Sequence, residues 1–144
     1  MRNKLIAIFL STTLGLGASD LDTLETVFSK HKPSDLNELA LNLTAQASVK
    51  HSKGDFKSAI SLYDQSLKIR KEIGQLHSKG YANVVFLKSI ALHRDGDSCS
   101  AARDIKHAIQ IYNEIGNVED ANIARVEGLE VYNMNCEGGL ISQK

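Results

Sequence analysis

Two short motifs recur in this chain at one spacing. His51-Ser52-Lys53-Gly54-Asp55 returns as His93-Arg94-Asp95-Gly96-Asp97, and Glu72-Ile73-Gly74 returns as Glu114-Ile115-Gly116, each 42 residues further on. Between these anchors Ala59 matches Ala101, Leu67 matches Ile109 and Ile69 matches Ile111; beyond them Ala82 matches Ala124, Val84 matches Val126 and Leu87 matches Leu129. A fixed period of this size marks an array in which one unit stacks on the next and covers the apolar face its neighbour leaves open. Gly138 falls one more period after Gly96, so the spacing predicts two units and part of a third.

Each unit reads as a pair of helices. Pro33-Ser34-Asp35 followed by Glu38 has the form of a helix start with a capping box, after which Leu36, Leu39, Ala40, Leu43 and Ala47 recur at helical intervals. Gly54-Asp55 breaks that helix. In the next one Phe56, Ala59, Ile60, Tyr63 and Leu67 form one stripe while Leu62, Ser66, Ile69 and Ile73 form a second, so it must touch two neighbours. Gly74 ends it, with Lys68, Arg70 and Lys71 where cations complement the helix dipole. The pattern repeats over Tyr81 to His93 and, after Gly96-Asp97, over Ala101 to Gly116. A final helix is predicted over Val118 to Asn133, and a short leading one over Asp20 to Lys30.

Composition agrees with an all-α chain. Among 144 residues there is one proline and no tryptophan, and 17 basic residues balance 17 acidic ones. That balance argues against a disordered acidic tail and against a basic nucleic-acid binder. At the start, Arg2 and Lys4 precede an apolar run from Leu5 to Leu16 and then the small residues Gly15, Gly17, Ala18 and Ser19. This reads as a signal peptide over 1–19, cleaved after Gly17 or Ser19, the alternative being an uncleaved anchor. The run is shorter than the roughly 20 residues of a spanning helix, so no membrane insertion is expected after cleavage. Residues 20–33 are then a leading helix or cap, 34–136 the repeat domain and 137–144 a flexible tail. The expected destination is outside the cytoplasm, the periplasm or beyond. An oxidising compartment there lets Cys99 and Cys136 pair.

These features resemble the tetratricopeptide repeat. Ala47, Gly54-Asp55, Phe56, Ala59, Tyr63 and Ser66-Leu67 follow its order of small residue, turn, aromatic, Ala, aromatic and small-apolar pair. Ser89, Gly96-Asp97, Ala101, Ile105 and Ala108-Ile109 follow it again, with Ser98 in place of the aromatic. The period and the ending Leu67-Lys68-Ile69-Arg70-Lys71-Glu72-Ile73-Gly74 are similar to the longer variant found in kinesin light chain and in bacterial arrays. The resemblance implies a right-handed superhelical array of antiparallel helix pairs, about two and a half repeats long, and covers Leu36 to Tyr132. In such a hairpin Cys99 and Cys136 lie at similar distances from the turn near Gly116, one before and one after it. A disulfide between them would staple the last helix; two free thiols or an intermolecular bridge are the alternatives.

The resemblance also implies a protein or peptide partner on the concave face. Repeat register assigns that face Thr44, Ser48 and His51, then Asn83, Phe86, Ile90 and His93, then Arg125 and Tyr132. Phe86, Ile90 and Tyr132 would grip apolar side chains while Asn83 and Arg125 bond an extended backbone or a carboxylate. The competing reading packs Phe86 and Ile90 against the neighbouring helix. Thr44 and Ser48 depart from the Lys and Asn that clamp peptide carboxylates in part of the family. No metal pattern, phosphate loop or catalytic motif is present in the sequence, so neither enzyme nor cofactor is expected. Asn42-Leu43-Thr44 is a formal glycosylation sequon. The expectation is an exported adaptor or accessory module; the alternative is a structural or regulatory subunit that assembles through its ends or as a homodimer.

Overall fold

A computed structural model describes residues 17–141. Most of the expected leader and the last three residues of the expected tail lie outside the described residues. Helices α1 (Ala18–Lys30), α2 (Leu36–Ser52), α3 (Phe56–Glu72), α4 (Lys79–Arg94), α5 (Ser98–Glu114), α6 (Val118–Ala124) and α7 (Glu130–Ile141) follow in order, and a π turn over Arg125–Leu129 joins the last two into one closing helix. α2 pairs with α3 and α4 with α5, α3 also packs on α4, and the closing helix packs on α5. The chain is an all-α array of antiparallel helix pairs: two pairs, a leading helix and a closing one.

The repeated turns show why these residues form these elements. Gly54, Gly74, Gly96 and Gly116 take φ values of 80°, 77°, 96° and 76°, where a side chain is strained. Each lets the following amide reach back to close the helix, as Asp55 N does on Lys50 O and Asp97 N on Leu92 O, both at 2.9 Å. At three turns the next residue then opens the following helix. Asp55 accepts from Ser58 N at 3.2 Å, Asp97 from Ser100 N at 2.9 Å and Asn117 from Asp120 N at 3.3 Å. One Gly-Asx dipeptide thus ends one helix and starts another. Only the connection after Gly74 is longer, and there Ser78 is the cap.

At the start of α2, Asp35 accepts from Glu38 N at 2.8 Å, but Glu38 returns its carboxylate to Ser34, one residue earlier than a standard capping box. Hydrogen bonds from the Ser34 hydroxyl and amide, with His31 beside them, hold Glu38 down to about 2. α1 is tied on by Asn42 Nδ2, which donates to Phe28 O at 3.1 Å, and by Lys50 and Lys53 against Glu25. Asn42 is buried in that contact, so the sequon is not displayed.

Small residues set the helix crossings, because axes 8–10 Å apart leave no room for long side chains. Ala40, Ala47, Ala59 and Ser66 are fully buried where α2 crosses α3, and Ser66 Oγ is satisfied by Ala40 O at 2.8 Å. A larger cluster joins α4, α5 and the closing helix through Tyr81, Ala82, Val85, Ile105, Ile109, Tyr112 and Tyr132. Between α3 and α5, Lys88 bonds Asp64 at 2.7 Å and Asp104 at 3.1 Å. Burial works to lower its pKa, but the two carboxylates outweigh that and raise it.

The closing helix differs from the sequence expectation in two respects. It runs on to Ile141, into the segment expected as a tail from residue 137. It also does not continue the 42-residue register: Val84 is buried but Val126 is 60% exposed. Counted from the turn glycine instead, the fifth residue is Ala59, Ala101 and then Ala121, the twelfth Ser66, Ala108 and then Gly128, the sixteenth Arg70, Tyr112 and then Tyr132. All nine are buried. Because Gly116-Asn117 is the tight turn used inside a pair, the last helix packs with the register of a second helix. At the ninth place, held by Tyr63 and Ile105, stands Arg125, and the π turn begins there. The wider turn keeps Arg125 in solvent while Gly128 still meets Ile105.

Candidate protein-binding surface

The faces of α4 are assigned by what they touch. Tyr81, Val85 and Lys88 face the gap between α3 and α5. Val84 and Ala91 pack on the first pair, and the far side of the helix carries Asn83, Ile90 and Arg94. Of these Asn83 and Arg94 are exposed and Ile90 is half-buried. The equivalent places on α2 are Leu41, Ser48 and Ser52, and Leu41 is 52% exposed. Leu41, Ser52, Asn83, Ile90 and Arg94 make up this inner strip; Ser48, at the place of Ile90, is drawn toward α3 instead.

The sequence-assigned residues divide across it. Asn83 and Ile90 belong to the strip, and Asn83 Oδ1 also accepts the Tyr112 hydroxyl at 2.8 Å. Thr44 and Ser48 turn inward toward α3: Thr44 Oγ1 lies 2.8 Å from Ser66 Oγ, and Ser48 Oγ is 3.3 Å from the Tyr63 hydroxyl. Phe86 is half-buried against the larger cluster. His51 and His93 each stand in the last turn of their helix, before the glycine turn. His51 meets the edge of Phe56 at 5.4 Å, and burial and then Arg94 lower its pKa. His93, where Ser98 replaces the aromatic, bonds Ser98 Oγ at 2.9 Å and stacks on Tyr132 at 4.6 Å. Tyr132 is 5% exposed, its pKa raised by burial, and Arg125 bonds Asn122 at 2.8 Å on the closing helix. Carrying the 42-residue register into the closing helix placed these two on the strip; its second-helix register puts Tyr132 in the core instead.

Cys99, in the first turn of α5, and Cys136, in α7, form a disulfide with Cα atoms 4.7 Å apart. It lines a shallow outer hollow of about 440 Å³ with Arg103, Lys106, His107, Gln110 and Asn133. Among the described residues no three His, Cys, Asp or Glu side chains converge as metal ligands, and no helix is long and apolar enough to cross a membrane. Sequence reasoning missed Leu41, which the repeat equates with Asn83, and the burial of Arg70. The signal for the closing-helix register was legible as Gly116-Asn117 followed by Ala121, Gly128 and Tyr132.

No family model matches the chain, and no curated protein matches it. Among solved structures it is similar to BtubC (BKLC) from P. vanneervenii, at 16% identity and a TM-score of 0.41 over 82% of this chain. The chain spans about half the length of that protein, 52%. The tetratricopeptide-like character of the fold rests on the helix pairs, their turns and their small crossing residues.

Proposed function

We propose that this chain is an exported, non-enzymatic protein-interaction module that binds a peptide or a partner helix along the inner strip of α2 and α4. The observation that carries the reading is the strip itself: Leu41 and Asn83 hold equivalent repeat positions and are exposed, and Ile90 lies half-buried two turns further along α4. Apolar side chains flanked by an amide suit an extended peptide, whose side chains fill the apolar places while its backbone bonds Asn83. The disulfide is compatible with export to the periplasm or beyond.

A second reading has its own support. Val126, Val131 and Met134 are exposed on the closing helix, Met134 at 66%, and no other described helix covers them. Such an end face suits a structural or regulatory subunit, or a homodimer. Capture from an envelope extract with the oxidised chain separates the two. Loss of a specific protein in Leu41→Lys/Ile90→Lys but not in Met134→Lys supports the strip; the reverse pattern transfers the function to the end face.

A further inference from the structure

Among the described residues Arg70 has no counter-charge. Sixteen residues after the turn glycine the second pair places Tyr112 and the closing helix Tyr132; the first pair places a guanidinium. Arg70 is 6% exposed, and burial alone acts on its ionisation, lowering its pKa. Nη1 donates to Gln75 Oε1 at 2.8 Å, and Gln75 in turn donates to Asn37 Oδ1 at 3.0 Å. Its Nε is buried and has no partner among the described residues. A guanidinium buried in this way is costly unless something accepts its hydrogen bonds.

The side chain reaches over the first turn of α4. A Cβ placed on Gly80 would come 2.9 Å from Nη1 and 3.6 Å from Cζ, so the absence of a side chain there is what admits the guanidinium. α4 is 16 residues long and has no acidic residue in its first turn. Ser78 Oγ satisfies the amide of Tyr81 at 3.0 Å. The amides of Lys79 and Gly80 find no acceptor in the described chain. The positive end of a helix and a guanidinium therefore adjoin one another. An oxyanion matches both halves, because it accepts a guanidinium edge and helix-end amides together.

We propose that the elbow between α3 and α4 binds a small oxyanion, a carboxylate or phosphate group, held by the Arg70 guanidinium and the backbone amides of Lys79 and Gly80. Gly80 is the residue that makes the space and Arg70 the one that supplies the charge. The site is separate from the inner-strip reading and stands or falls without it.

The test is an NMR titration of the oxidised, isotope-labelled chain with sodium phosphate and, separately, with N-acetylglutamate, against sodium chloride at matched ionic strength. Saturable shifts of the Lys79 and Gly80 amides and of Arg70 Nε–H are expected. Affinity should fall by about tenfold or more in Arg70→Met, which keeps the volume and removes the charge. Gly80→Ala, which keeps the charge and fills the space, should weaken binding as well; circular dichroism checks that both variants fold. Preference for phosphate identifies a free anion or phosphoryl group, and preference for N-acetylglutamate a carboxylate carried by a partner. Shifts that do not saturate, that sodium chloride reproduces, or that persist unchanged in Arg70→Met would overturn the proposal.

Discussion

Two glycines of the closing helix should respond in opposite senses to the same substitution. A Cβ on Gly128 would overlap Cδ1 of Ile105 and sit 3.4 and 3.5 Å from ring atoms of Tyr132. Ile105 is fully buried and has nowhere to retreat. Overpacking of this kind costs about 1–3 kcal/mol, and exchanging glycine for alanine in a helix returns about 1 kcal/mol. Gly128→Ala should therefore destabilise by a net of about 1 kcal/mol, or about 4 °C in Tm. Gly138, on α7, has nothing within 4 Å of a new Cβ, so Gly138→Ala should stabilise by about 0.5–1 kcal/mol. Urea unfolding followed by circular dichroism, with the disulfide intact, measures both. If Gly128→Ala is as stable as the parent, or if the two substitutions shift stability in the same direction, the assignment of Gly128 as a close-packed crossing point is wrong.

Reduction of Cys99–Cys136, which are 37 residues apart, should cost up to about 4 kcal/mol if the bond acts by restricting the unfolded chain; unfolding with and without a phosphine reductant tests this, and no change in midpoint would deny the staple a role. Acid should loosen the α1–α2 end first. Glu25, held down by Lys50 and Lys53, and Glu38, held down by Ser34 and His31, both titrate at about 2 rather than 4.5, so what they contribute is present above the unfolded value and is lost as pH falls toward 2. Both sit half-exposed at the surface, so added salt should shrink the effect. Carboxyl titrations by NMR are expected to give those midpoints, and Lys50→Gln should move Glu25 upward while leaving Glu38 in place.

The helix pairs were legible because their signals are local. A glycine at positive φ followed by an Asx cap needs two adjacent residues, and the alanines of each crossing sit at fixed distances from that turn. The disulfide was legible for a related reason, since a hairpin folded near Gly116 brings together residues at similar distances on either side of it. The candidate site was only half legible. Repeat register told which residues are equivalent, but not which way each first helix turns, so Thr44 and Ser48 were assigned to a surface although they bond α3.

What the sequence by itself determined is the number of helices, their breaks and the small residues at which they cross, all of which follow from backbone conformation and helical periodicity. Only the tertiary structure decided the rotation of the closing helix and the isolation of Arg70. Both depend on contacts between residues far apart in the chain. The short Gly116-Asn117 turn sets the closing helix against α5 so that Gly128 and Tyr132, rather than Val126, meet the core. Likewise, a cation that suits the C-terminus of α3 becomes a buried guanidinium only because α4 packs Gly80 across it.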